Sequence, residues 1–209
     1  MNEPLSREIV YFEPSALALR LKTRRHLTLL ESVMRQEHLG RYSFLACDPV
    51  STLKVTRAGT FLDDEAQAGP ALAIVTRLLA ENRAAHIAGL PPFQGGLAGF
   101  ISYDFGRRLE PHAKIPDFEA ICPDLILHRY DTLAAFDHMQ ERAWIIARNE
   151  ASADEFEMAL KTRPLPLGSH AIANWQSNFT REDYEAAIAR TVDYILAGDI
   201  FQANITQMF

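Results

Sequence analysis

Cysteine is scarce in this 209-residue chain: only Cys47 and Cys122 occur, far apart and without a second thiol or a histidine at metal-finger spacing. The pattern carries no zinc finger and favours a reducing compartment, with both thiols expected in the core. Basic charge is also short. Lys and Arg number 21 against 27 Asp and Glu, a formal net charge of −6, so there is no basic field to hold phosphate backbones or an anionic membrane. Nucleic acid and membrane are therefore not expected as partners. No run approaches the ~18 apolar residues of a membrane span. Met1 to Ile9 carries Glu3, Arg7 and Glu8 in place of an apolar signal core, and a cytoplasmic location is expected. Generic catalytic signatures are missing too: Gly-x-Gly-x-x-Gly, a phosphate-loop Lys-Ser/Thr, Gly-x-Ser-x-Gly and His-Glu-x-x-His are all absent. No internal repeat or low-complexity run suggests a solenoid or a disordered chain.

What is present is concentrated near the middle. Pro91 to Glu110 packs a Pro-Pro pair, the glycines Gly95, Gly96, Gly99 and Gly106, an aromatic run and a Tyr103-Asp104/Arg107-Arg108/Glu110 polar finish into twenty residues. Glycine at that density marks backbone that must approach another backbone closely or take positive φ. The polar finish reads equally as a satisfied salt-bridge cluster or as part of an interface or site.

Upstream, strands are predicted over Glu8–Phe12, His26–Ser32 and Arg41–Cys47, the last stopped by Asp48-Pro49, with a short helix opening at Pro14. A hairpin is predicted from Leu53 to Leu62 around Ala58-Gly59, and an amphipathic helix over Ala71–Arg83. Downstream, Leu125–Tyr130, Thr132–Asp137 and Arg142–Arg148 read as three antiparallel strands joined by short turns, with His128 and His138 as hairpin residues rather than ligands. A helix is predicted over Glu155–Thr162, and the segment Arg163–Ser169, with two prolines and a glycine, is the linker.

The last forty residues have the clearest local pattern. Thr180 caps a helix with Glu182, Asp183 and Glu185 in its first turns, which read as a solvated helix start rather than metal ligands. Tyr184, Ile188, Val192, Ile195 and Leu196 line one face, and Gly198 closes the helix. Ile200–Phe209 alternates as a strand with Gln202, Asn204 and Thr206 on one face. That face reads as the wall of a polar cavity or as a solvated sheet surface.

These residues together resemble a known family. Phe93-Gln94-Gly95-Gly96, Gly99, Tyr103 to Glu110, the Asp48-Pro49 strand end, and Ser177 to Tyr184 leading to Gly198-Asp199-Ile200-Phe201-Gln202-Ala203-Asn204-Ile205 look like the chorismate-utilising enzymes, anthranilate synthase component I and para-aminobenzoate (aminodeoxychorismate) synthase component I. The likeness runs from about Leu29 to Phe209. Gly106-Arg107-Arg108 and the Ser177-Asn178-x-Thr180-Arg181-Glu182 opening resemble the aminodeoxychorismate branch more than the anthranilate branch.

The resemblance implies an α+β fold of two packed, mainly antiparallel β-sheets with outer helices. It implies an N-terminal region over residues 1–165 and the start of the chorismate-binding region over 174–209, truncated before the C-terminal half. The implied reaction replaces a chorismate hydroxyl with ammonia from a glutamine amidotransferase subunit, giving 4-amino-4-deoxychorismate for para-aminobenzoate and folate synthesis, with Mg2+ on the substrate carboxylate. Gln202 matches the position where isochorismate-forming relatives carry a lysine, and an amide cannot act as a general base near neutral pH. A tryptophan pocket is implied at Ser32 and at Leu39, Gly40, Arg41 and Tyr42. The Mg2+ ligands and catalytic residues are expected beyond Phe209, so no catalytic residue is expected here and the chain is expected to be inactive alone. Two rival expectations stand beside this one: an anthranilate synthase component I, and a non-catalytic module that binds tryptophan or docks the amidotransferase.

Overall fold

The structure is a computed structural model that describes residues 4–36, 39–110, 122–164 and 175–208. The chain divides into two compact units, Met1–Pro166 and Leu167–Phe209. The linker expected over Arg163–Ser169 lies outside the described residues from Leu165 onward.

The first unit contains two five-stranded antiparallel sheets. One is ordered β1 (Leu5–Ile9), β10 (Arg142–Ala147), β9 (Leu133–Asp137), β3 (Tyr42–Ala46), β2 (Thr28–Leu30). The other is ordered β6 (Glu65–Gln67), β5 (Gly59–Leu62), β4 (Ser51–Thr56), β8 (Leu125–Tyr130), β7 (Gly96–Ile101). Period-two alternation sorts the side chains between layers. Leu45, Ala134, Phe136, Ala143 and Ile145 of the first sheet face the helices α1 (Pro14–Ala18) and α4 (Glu150–Leu160), where Leu17, Phe156 and Leu160 close an outer core. The intervening residues Ala46, Leu133, Ala135, Trp144 and Ile146 turn the other way and meet Ala98 and Tyr130 of the second sheet. Leu53, Val55 and Leu125 form that sheet's outer face, covered by Ile74 and Leu78 of α2 (Ala71–Glu81), and the one-turn helix α3 (Gly106–Leu109) follows β7. The order helix, sheet, sheet, helix is the layered architecture the resemblance implies.

Several expectations need correction. β8 does not form a hairpin with β9; it pairs with β4 and β7, and Asp131-Thr132 carries the chain from one sheet to the other. Only β9 and β10 form the expected hairpin, in register from Arg142↔Asp137 to Ile146↔Leu133. The first strand ends at Ile9, opposite Ala143, because β10 begins one residue earlier, so Tyr11 and Phe12 have no ladder to join. α4 starts five residues before its predicted start, since the Asn149 side chain accepts from the Ser152 amide and caps it. The short strand β6 was not anticipated. Cys47 is buried as expected, but Cys122 is exposed.

In the second unit, α5 (Arg181–Ala197) is bounded as predicted: the Thr180 hydroxyl accepts from Asp183 N at 3.1 Å, and Gly198 takes the left-handed conformation at φ 83°. The strand expected over Ile200–Phe209 does not form within the described residues, which run to Met208. Alternation alone does not make a strand without a neighbour to complete its ladder. Here backbone groups of the segment pair with the start of the unit instead: Met208 N donates to Asn178 Oδ1 at 2.9 Å, Asn178 N to the Met208 carbonyl at 3.0 Å, and the Tyr184 hydroxyl to the Ile205 carbonyl at 3.2 Å.

Candidate functional site

The antiparallel pairing of β2 with β3, from Thr28↔Ala46 to Leu30↔Phe44, folds the chain so that Ser32 returns over Tyr42 and Ser43. The Ser32 hydroxyl donates to the Tyr42 carbonyl at 2.6 Å, and the Ser32 amide donates to Ser43 Oγ at 2.9 Å. With its proton committed to Tyr42, the Ser32 hydroxyl has only lone pairs left for a ligand. Gly40 sits at φ 83°, and a β-carbon there would lie 1.8 Å from the Met34 carbonyl oxygen, so this turn admits no side chain. Arg41 reaches Asp137 Oδ2 with Nη2 at 2.6 Å and Nε at 3.0 Å, and its guanidinium stands 5.0 Å from the centre of the Tyr42 ring. Of the five residues expected to line a tryptophan pocket, Ser32, Gly40, Arg41 and Tyr42 therefore form one connected turn. Leu39 belongs to the same turn but is 70% exposed.

A polar chain behind this turn was not expected from the sequence. Ser43 is fully buried and His138 is 6% exposed; Ser43 Oγ lies 2.6 Å from His138 Nε2, and the Tyr11 hydroxyl lies 2.8 Å from His138 Nδ1. Burial holds the His138 ring below the usual histidine range, with Arg35 adding to the effect and Glu13, Asp137 and Glu31 opposing it. Asp137 closes the β9–β10 turn, with Oδ1 accepting from the amides of Met139 and Gln140 at 3.0 and 3.2 Å. A signal for this chain was present in the sequence: Ser43 shares the helix-facing side of β3 with the buried Leu45 and Cys47, and a hydroxyl there must have a partner.

The glycine-rich stretch does two jobs. Its first half rims a cavity of about 620 Å³ lined by Asn82 to His86, Gln94 to Gly96, Asp131 and Arg148, among others. The Gln94 amide pins that rim, accepting from Ile87 N at 2.8 Å and donating to the Ile87 carbonyl at 2.9 Å. In the second half Arg108 pairs with Asp124 at 2.7 Å and donates to the Thr56 carbonyl, while Arg107 pairs with Asp104 at 3.3 Å. Arg108 thus anchors the turn after β7 to sheet and loop, and Arg107 braces the turn from within. Tyr103 stands fully exposed beside them. His128 is also a structural residue: it lies on β8, bonded to Thr52 Oγ1 at 2.9 Å, with its ring centre 4.3 Å from that of His26.

Gln202 lies in the second unit, where it, Asn204 and Thr206 are all exposed. Among the described residues no group of three or more His, Cys, Asp or Glu side chains could hold a metal ion. Asp183 is engaged with the Thr180 cap and Glu185 with Arg181 at 2.7 Å. The residues described do not fit a Mg2+ site. No described helix is long and apolar enough to cross a membrane.

Comparison with known proteins places this geometry in context. The chain is 32% identical over 217 residues to the anthranilate synthase component 1 of Synechocystis sp., covering 86% of this chain and 42% of that protein. It is 27% identical over 187 residues to the aminodeoxychorismate synthase component 1 of Escherichia coli, covering 87% and 41%. The crystal structure of anthranilate synthase component I from Streptococcus pneumoniae shares its fold, with a TM-score of 0.62 at 22% identity over 92% of this chain and 46% of that one. The chain thus spans less than half the length of these relatives. A family profile described as chorismate binding enzyme matches residues 29–209, from the strand that carries the Ser32 turn through the whole second unit. The chain belongs to the chorismate-binding enzyme family.

Proposed function

We propose that this chain is the N-terminal portion of a component I enzyme that aminates chorismate, using ammonia from a glutamine amidotransferase partner in the cytoplasm. The family match over residues 29–209 carries the reading. Of the two products, anthranilate has the stronger support. Identity to the Synechocystis anthranilate synthase component 1 is 32%, against 27% for the E. coli aminodeoxychorismate synthase component 1. Of the residues that resemble the aminodeoxychorismate branch, Gly106 to Arg108 and Ser177 to Glu182, the two arginines Arg107 and Arg108 are engaged with Asp104, Asp124 and the Thr56 carbonyl. An anchoring role of that kind selects neither product. Aminodeoxychorismate remains the second reading, favoured by 30% identity to the Streptomyces lividans aminodeoxychorismate synthase component 1.

Within this portion, we assign the Ser32 turn, with Leu39, Gly40, Arg41 and Tyr42, to tryptophan binding and Gln202 to the substrate pocket. Supporting the first assignment, Ser32 presents hydrogen-bond lone pairs beside a fixed aromatic and guanidinium. The 209 residues should show no turnover of chorismate with ammonium and Mg2+, whereas a fusion to the C-terminal half of the Synechocystis relative should yield fluorescent anthranilate. Turnover by the chain alone would overturn the reading of it as an incomplete enzyme, and turnover on fusion to the C-terminal half of the E. coli aminodeoxychorismate relative but not of the Synechocystis one would overturn the choice of product. Calorimetric titration of the chain with tryptophan tests the Ser32 turn directly, and absence of heat would remove that assignment.

A further inference from the structure

Four residues far apart in sequence form one continuous hydrogen-bonded chain: the Ser32 amide to Ser43 Oγ at 2.9 Å, Ser43 Oγ to His138 Nε2 at 2.6 Å, and His138 Nδ1 to the Tyr11 hydroxyl at 2.8 Å. Its protons can be placed by counting. Ser43 is fully buried, its oxygen already accepts from Ser32, and its own hydroxyl proton has one acceptor among the described residues, His138 Nε2. If Nε2 carried a proton instead, the Ser43 oxygen would accept twice and its hydroxyl proton would have no acceptor. Satisfaction therefore requires Nε2 to be bare and the proton to sit on Nδ1, which donates to Tyr11. Tyr11 is only half-buried, so its own hydroxyl can donate a hydrogen bond to solvent.

We propose that His138 is a positioning residue: neutral and protonated on Nδ1, it holds Ser43 so that Ser43 fixes the Ser32 backbone, and uptake of a second proton by the ring releases Ser32. The functional weight of this rests on the reading that the Ser32 turn binds tryptophan. The chain itself stands on geometry alone. Protonation of Nε2 turns an acceptor into a donor aimed at the Ser43 oxygen, which then accepts twice and leaves its own buried hydroxyl proton without an acceptor. The strain is relieved when the Ser43 side chain turns away from the ring, and the Ser32 amide loses its partner with it. The groups facing the ring are Tyr11 after β1, Glu13 before α1, Glu31 and Arg35 in the turn, and Asp137 on β9. Glu13 pairs with Arg35 at 2.6 Å and Asp137 with Arg41 at 2.6 Å, so two of the three carboxylates have cations of their own. Burial and Arg35 hold the ring neutral at physiological pH.

The test is nitrogen-detected NMR of the His138 ring together with the Ser32 amide resonance, followed as pH is lowered from about 8 to about 5 across the histidine range. The Nδ1–H tautomer is expected at neutral pH, and the Ser32 amide is expected to shift with the same midpoint as the ring and to exchange about tenfold faster once the ring is charged. An Nε2–H tautomer, or a Ser32 amide that stays in place while the ring titrates, overturns the proposal. In His138→Gln, an amide oxygen can still accept from Ser43 but takes up no proton, so Ser32 should stay protected with no pH dependence. Tryptophan affinity measured by calorimetry should weaken about tenfold on acidification in the unsubstituted chain and not in the variant. If tryptophan gives no heat at any pH, the binding assignment fails, while the tautomer and amide measurements still decide the positioning role.

Discussion

Gly99 lies so close to Ile126 that a β-carbon placed on it would sit 2.1 Å from the Ile126 carbonyl oxygen, nearer than any side chain can approach backbone. Both belong to regular strands, Gly99 opposite Leu127 in the β7–β8 pairing, so neither can retreat without breaking the ladder. Gly99→Ala is therefore expected to destabilise the first unit by about 2–4 kcal/mol through overpacking and backbone strain. Gly106 is the control. It has helical backbone, φ −53°, and open space around its missing β-carbon, so Gly106→Ala should be neutral or stabilising by about 0.5–1 kcal/mol. Urea denaturation of the two variants checks this, and equal losses in both would contradict it.

Asp137 is a second point where one side chain holds several parts together. Its side chain is 4% exposed and takes Arg41 on one oxygen and the Met139 and Gln140 amides on the other. Asp137→Ala leaves those amides and the Arg41 charge short of a partner, and a loss of about 3–5 kcal/mol is expected. Asp137→Asn keeps an acceptor for the turn amides and should cost less. Burial pushes the Asp137 carboxyl up, but the hydrogen bonds from Arg41 and from the Gln140 and Met139 amides outweigh it and leave the group below the ordinary carboxylate range. A lowered folded value means the stabilisation is fully present above the unfolded pKa of about 3.9 and is lost as pH falls through the folded value. Acid titration monitored by circular dichroism should show this step in the parent chain and not in Asp137→Asn.

How much of this was legible in the sequence depended on how local each feature was. The β4–β5 hairpin, α2 and the caps of α5 are set by neighbours within a few residues, through Ala58-Gly59, an apolar stripe, and Thr180 with Gly198. They read correctly. Strand partners are chosen across the chain, and there local reading fails. Two residues, Asp131-Thr132, look like a hairpin loop yet connect different sheets. Gly99 was flagged by glycine density alone, which implies close approach but cannot name Ile126 as the neighbour. The Ser32 turn is pointed to by resemblance, whereas Tyr11 and His138, 127 residues apart, meet only once β1 and β9 both stand in the first sheet. At Ile200–Met208 the alternation is genuine, but a strand also needs a neighbour, and sequence pattern does not report one.

His138 and His128 should control the milder end of the pH scale. Burial lowers both rings below the ordinary value, with Arg35 acting also on His138 and His26 on His128. For a histidine whose folded pKa is lowered, stability is fully present above the unfolded value of about 6.5 and declines as pH drops toward and through the folded value, by up to about 1.4 kcal/mol per pH unit for each group. Thermal melts at a series of pH values should therefore show the midpoint falling below about pH 6.5, well before the Asp137 step. His138→Gln should flatten part of that decline and leave the share due to His128. An unchanged profile in the variant would mean that His138 titrates normally.

The two cysteines should separate cleanly by reactivity. Cys47 is buried at the end of β3, and desolvation, reinforced by the Asp48 carboxylate, pushes its thiol up to about 12. At pH 8 only about one molecule in ten thousand would carry the Cys47 thiolate, the form that attacks a disulfide reagent. Cys122 is exposed, so it meets reagent without any opening of the fold. Mixing the native chain with an aromatic disulfide should release one equivalent of chromophore promptly. The second should follow only in urea, with the same midpoint as the loss of circular dichroism, because Cys47 becomes accessible when α4 and β3 part and the outer core opens. Cys122→Ser should abolish the prompt phase and Cys47→Ser the delayed one. Prompt release of two equivalents from the native chain would show that this core is open.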